Sequence, residues 1–229
     1  QNNAQMEYKS ESEPEYDFLL NNKNYQQDPV KTYTHGSSND FLKADRPITR
    51  FVGKAEEIKE HIQEAFEKTT AQKLPEHIII NVVPKEELKR LHMKGGNQWS
   101  EGIMGFAINK SIPEVFIKEN NMDQLMLTIG HELGHVFTKS LKNQHDEEAK
   151  AFAFEIAWIK AILENDIAGL KDSFTLDINP AKNGLHDVAF DNVKKWLQKG
   201  KNAIDVYWDL VRGILKIDQT DYSFLDKMF

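Results

Sequence analysis

The chain contains no cysteine, which removes disulfide frameworks, cysteine-ligated metals and cysteine nucleophiles together. No apolar run reaches the roughly 20 residues that a membrane-spanning helix needs. The first residues also lack the basic-then-apolar pattern of a signal peptide. A cytoplasmic location without a membrane partner is the resulting expectation. Positive charge is short as well, since 29 Lys and Arg against 36 Asp and Glu leave a net charge of −7. Phosphate backbones are bound by clustered Lys and Arg, so no nucleic-acid partner is expected. No internal repeat or low-complexity tract is visible. What remains is ample core material: 40% of the 229 residues are hydrophobic and 10% aromatic, which suits a folded domain with additional elements.

Residues 1–47 differ from the rest. They are rich in Asn, Gln, Ser, Glu and Tyr, and Phe18-Leu19-Leu20 is their one tight apolar cluster. They read as a polar N-terminal tail, either loosely docked or a regulatory segment lying across a cleft. Residues 48–229 read as the folded domain with a C-terminal helical extension. Ile58, Ile62 and Phe66 recur four apart and predict a helix over 54–70. His77 to Val83 is a nearly continuous β-branched run, predicting a strand buried on both faces. A short helix over 84–93 follows. Strands over 102–109 and 114–118 come next, joined through Lys110-Ser111-Ile112-Pro113 as a hairpin.

Asn121, with Gln124 three residues on, predicts a capped helix start. The helix it opens carries Leu125, Ile129, Leu133 and Val136 on one inner face and extends to about Ser140. A second helix is expected over 146–164, an irregular connection over 172–185, and two further helices over 187–198 and 203–215. The last dozen residues form an acidic, aromatic tail. This order of elements is an α+β arrangement.

The chemistry concentrates in His131-Glu132-Leu133-Gly134-His135. Residues i and i+4 of a helix share a face, so both imidazoles can reach one ion. Glu132 is offset by one position, where it can act on a water as general base without becoming a ligand. Zinc suits such a site, because it lowers the pKa of a bound water and polarises carbonyls. Gly134 sits inside the helix, where glycine costs about 1 kcal/mol relative to alanine. Close approach of another backbone is one reason for it to be there.

The third ligand is not given by the motif itself. Metzincins continue with a glycine and a third histidine, but Thr138 and Leu141 stand at those places, and peptide deformylases use a cysteine. Carboxylates of the next helix are candidates: His145-Asp146-Glu147-Glu148-Ala149-Lys150-Ala151-Phe152-Ala153-Phe154-Glu155 supplies several. Glu148-Ala149 followed by Phe152-Ala153, after the histidine motif, resembles the gluzincin pattern of ImmA/IrrE-like peptidases and of archaeal minigluzincins. The resemblance covers roughly residues 76–164 and implies Glu148 as third zinc ligand. Glu147 and Glu155 are competing carboxylates, and Glu155 could instead orient a ligand histidine.

The resemblance also implies a small zincin-like sheet packed on the motif helix. An edge strand of that sheet, 115–118 or 105–109, would hold an extended peptide. It implies a zinc-dependent endopeptidase acting on a peptide or protein substrate. The alternative is a catalytically silent or latent metal-binding regulator acting through protein contacts. His186 and Tyr207 are candidates for stabilising an oxyanion, though each also reads as a cap neighbour or packing residue. His145 reads as a cap neighbour, and His35 matters only if the tail folds over the site. His61, His77 and His92 read as structural or solvent-facing, and Trp158, Trp196 and Trp208 as core.

Overall fold

The computed structural model describes residues 31–36, 41–176 and 185–217. Among them are six α-helices, a four-stranded mixed sheet and a two-stranded sheet, the α+β arrangement expected. The larger sheet runs in the order β1 (Lys31–Gly36), β4 (Ile103–Asn109), β5 (Glu114–Lys118), β3 (Ile79–Val83). The hairpin of β4 and β5 forms as read from sequence, β3 lies parallel to β5, and β1 lies antiparallel to β4. β2 (Phe51–Val52) and β6 (Asn120–Asn121) make the small pair. The helices are α1 (Lys59–Thr70), α2 (Lys85–Lys94), α3 (Met122–Val136), α4 (Gln144–Asn165), α5 (Leu185–Gln198) and α6 (Ala203–Val211). None is long and apolar enough to cross a membrane.

Side-chain alternation divides the sheet into two faces. Phe106 of β4 clusters with Leu88 of α2, while its neighbour Ala107 joins the main core. That core lies between the sheet and α4, with α3 in the middle. Every residue of α3 except Gln124 is consequently buried, a wider burial than one periodic stripe predicts. α4 is buried without a break from Glu147 to Ile159, because α1, α3, α5 and α6 all pack against it. A helix enclosed on all sides is an interior helix.

Three expectations are corrected. β3 is not buried on both faces: it lies at the edge of the sheet, and Ile79 is 43% exposed. β-branched residues suit a half-buried pleated surface as well as a buried one. The capping box at α3 does not form, since Asn121 makes no side-chain cap. The helix start is held from upstream instead. The Thr49 hydroxyl accepts from the Asp123 backbone N–H and donates to the Asp123 carboxylate, which also takes a 2.6 Å bond from Arg46.

The third correction concerns the stretch 1–47. Its residues 31–36 form β1, Phe41 and Leu42 are buried in the core, and Arg46 ties to α3. A polar composition does not prevent a strand from adding to an existing edge, because the ladder bonds are made by backbone. Phe18-Leu19-Leu20, residues 177–184 of the irregular connection and the last dozen residues lie outside the described residues.

Candidate metal centre

Two antiparallel turns of helix build the site. A Cβ added to Gly134 of α3 would lie 2.7 Å from the Ala151 Cα of α4, so the glycine is where the two backbones meet, as its place in the motif suggested. One turn further along the seam, the Trp158 indole covers Gly130 and donates to the Met126 carbonyl at 2.9 Å. Glu147, Glu148 and Glu155 stand four before, three before and four after Ala151, so all three carboxylates are on the face turned to α3. Asn143 starts α4 by accepting bonds from the His145 and Asp146 backbone N–H groups, which fixes the turn carrying Glu147 and Glu148. His145 is thus the cap neighbour it was read to be.

His131, His135 and Glu148 come together as a buried group able to hold a metal ion, with one ligand atom from each within 4.8 Å of the others. The two Nε2 atoms are 3.3 Å apart. A Glu148 carboxylate oxygen lies 3.7 Å from His131 Nε2 and 3.9 Å from His135 Nε2. Two ligands bonded at 2.0–2.1 Å with tetrahedral angles are about 3.4 Å apart, so the donor set needs only a small contraction around an ion. Glu132 is fully buried on the same turn of α3.

The rear of each imidazole explains why the Nε2 atoms converge. His131 Nδ1 is 3.0 Å from a Glu155 oxygen, and His135 Nδ1 is 2.9 Å from a Glu147 oxygen. Each carboxylate accepts a hydrogen bond from Nδ1–H, which directs Nε2 towards the centre of the group. Glu155 thus lies behind the His131 ring and orients it. Glu147, read as a competing ligand, does the same for His135. It also accepts from the Leu141 backbone N–H at 2.6 Å and pairs with Lys150 at 3.0 Å.

Electrostatics favour a cation here. Glu132, Glu147, Glu148 and Glu155 are all buried, and Lys150 is the buried cation beside them. Burial pulls the His131 imidazolium down, but Glu148 and Glu155 more than reverse this and raise its pKa to about 10. Burial dominates at His135 and lowers its pKa. Of the two imidazoles, His131 is therefore the one whose charged form is favoured. Glu147 is held below the usual carboxylate range because Lys150 and His135 outweigh its burial.

No family model, curated protein or solved structure matches the chain.

Three contributors were not read from sequence. Lys150 is fully buried and donates to the His135 and Lys139 carbonyls at 3.2 Å each. Its signal was a lysine three residues after Glu147 inside an Ala- and Phe-rich run. Asn109, at the end of β4, donates to the His135 carbonyl at 2.8 Å and to that of Thr138 at 2.9 Å, tying the sheet to the end of α3. Tyr33 of β1 stacks flat on the His135 ring, with centroids 4.2 Å apart and planes 4° from parallel. The alternation of Thr and Tyr in Lys31-Thr32-Tyr33-Thr34 was its strand signal.

Of the two oxyanion candidates, Tyr207 is fully buried in the core with its hydroxyl 2.9 Å from that of Thr138, the packing role weighed against catalysis. The His186 side chain lies outside the described residues, as does that of His35. His92 is buried edge-on to Trp99 and Phe106, and Trp158 and Trp208 are core residues.

Proposed function

We propose that the chain is a zinc-dependent peptidase of the gluzincin type, with His131, His135 and Glu148 as ligands. The observation that carries this reading is the convergence of two Nε2 atoms and one carboxylate while each Nδ1 is held by its own glutamate. Mixed nitrogen and oxygen donors at these separations suit zinc. Zinc bound there supplies Lewis-acid polarisation of a water and of a peptide carbonyl. Glu132 takes a proton from the water as its oxygen attacks the carbonyl carbon, then delivers that proton to the amine nitrogen as the C–N bond breaks. Glu147 and Glu155 hold the imidazoles by their Nδ1 atoms and so orient the two Nε2 atoms. Lys150 and Asn109 hold the backbone that carries His135.

The test is Glu132→Gln. It keeps the side chain's shape and removes the carboxylate, so the protein should still bind one zinc per chain by elemental analysis. Cleavage of an unfolded protein such as β-casein should fall by about 10²–10⁴-fold. Cleavage at the wild-type rate would refute the mechanism.

A second reading has a specific observation in its favour. His131, His135 and Glu132 are 1% exposed or less while Glu148 keeps 8% exposure, so in this conformation the two imidazoles and the acid beside them are shielded. A metal-binding regulator that does not cleave fits that closure. It predicts zinc binding with no hydrolysis under any condition.

A further inference from the structure

Part of the cover over His135 comes from β1. β5 is flanked by β3 and β4, so the sheet edge nearest α3 is the outer edge of β4. That edge is taken by β1, antiparallel and in register from Lys31 opposite Asn109 to His35 opposite Gly105. The strand continues no hairpin. It arrives from a part of the chain 67 or more residues before β4 in sequence. Alternation aims Tyr33 at the α3 side, where it lies opposite Ala107. The small alanine leaves room for the phenol ring, which then lies flat on His135. Tyr33 is buried to 9% exposure and is the one large apolar side chain of the strand Lys-Thr-Tyr-Thr-His-Gly. A strand added at a sheet edge through backbone ladder bonds is among the parts of a fold that can open locally. Backbone pairing along a sheet edge, with one side chain in a pocket, is also how extended peptides are bound.

We propose that β1 is a built-in inhibitory strand that occupies the peptide-binding edge of β4 and closes the metal site by stacking Tyr33 on His135. The protein is then latent with β1 in place. When β1 leaves, the same edge takes an extended peptide antiparallel to β4, with an aromatic side chain over His135. This rests on the peptidase reading of the site and adds its regulation and its preferred substrate.

The absence of cysteine from the chain allows a clean staple. Thr32 lies opposite Ile108, one position from Tyr33 and hence on the sheet face away from the metal site, so T32C with I108C can lock the strand reversibly. The full-length, zinc-loaded protein is assayed oxidised and after reduction with a phosphine, for β-casein cleavage and for the rate of zinc loss to EDTA. The reduced form should exceed the oxidised form by about tenfold or more in both, since each depends on the fraction of chains with β1 displaced. Tyr33→Ala without a staple should raise both rates in the same direction, which covers a staple that fails to form.

Equal rates in the oxidised and reduced forms, with no gain from Tyr33→Ala, overturn the inhibitory strand whether or not the protein cleaves. Zinc loss that differs between the two forms, with no cleavage in either, leaves the strand standing and overturns the peptidase reading. A chain that takes up no zinc in either form overturns both.

Discussion

The seam between α3 and α4 and the edge between β4 and β1 meet at His135, and they are built differently. The seam is buried and crowded: Gly134 lies against Ala151, Gly130 against Trp158, and three glutamates reach across it. Its geometry follows from backbones that cannot come closer. The edge is made by backbone pairing, with Tyr33 laid on His135. Rigidity is placed where ligand atoms must hold position within a few tenths of an ångström. The edge, under the inhibitory-strand proposal, is where a peptide would enter. The two differ in what a single substitution should do, and that difference can be measured.

The largest effect is expected at the carboxylate that serves both as histidine partner and as counter-ion. Glu147→Gln leaves Lys150 buried beside a neutral amide, and breaking a buried pair costs about 3–5 kcal/mol. Urea denaturation of the metal-free protein should show that loss. Glu155→Gln should lower zinc affinity by about 10–100-fold with a smaller change in stability. Equal stability losses from the two substitutions would mean that Lys150 is not held by Glu147 as described.

Next comes the contrast of seam and edge. Gly134→Ala puts a methyl group into the Ala151 backbone and should cost about 1–3 kcal/mol through overpacking. Thr32→Ala, on the far face of β1, should change stability by less than about 0.5 kcal/mol. Comparable losses at the two positions, read from the same denaturation curves, would erase the distinction.

The smallest effect per step is a pH dependence. The metal-free chain holds a proton on His131 up to a pKa of about 10, and a ligand imidazole must give it up. Zinc uptake at pH 8 should therefore release a proton into weakly buffered solution. Affinity should climb by about tenfold per pH unit from neutrality toward pH 10 and then level off. The same raised pKa stabilises the metal-free fold below the unfolded value near 6.5, and that contribution disappears as pH rises through about 10. Affinity independent of pH across this range would mean that the imidazole pair carries no proton.

Much of the site was legible before the fold. His131 and His135 are four apart on a periodic stretch, so a shared face follows from helix geometry alone. The helices carrying them and the glutamates, and the hairpin before them, follow from local patterns of 3.6 and 2 residues. The N-terminal support of α3 was not legible, because Thr49 and Arg46 act across more than 70 residues and displace the local cap that Asn121 and Gln124 suggest. β3 was misread for a related reason: whether a β-branched run is central or marginal depends on its neighbours in the sheet, not on its own residues.

The sequence by itself determined that two imidazoles face one way, that an acid stands beside them, and that carboxylates are available one helix later. Helical spacing is local, and no tertiary contact is needed to establish it. Only the tertiary structure decided which glutamate does what. Glu148 meets the Nε2 atoms while Glu147 and Glu155 take the two Nδ1 atoms, because the Gly134–Ala151 contact sets the height and rotation of α4 against α3. It also decided that a polar stretch far upstream lies over His135, since edge pairing uses backbone groups that every sequence possesses.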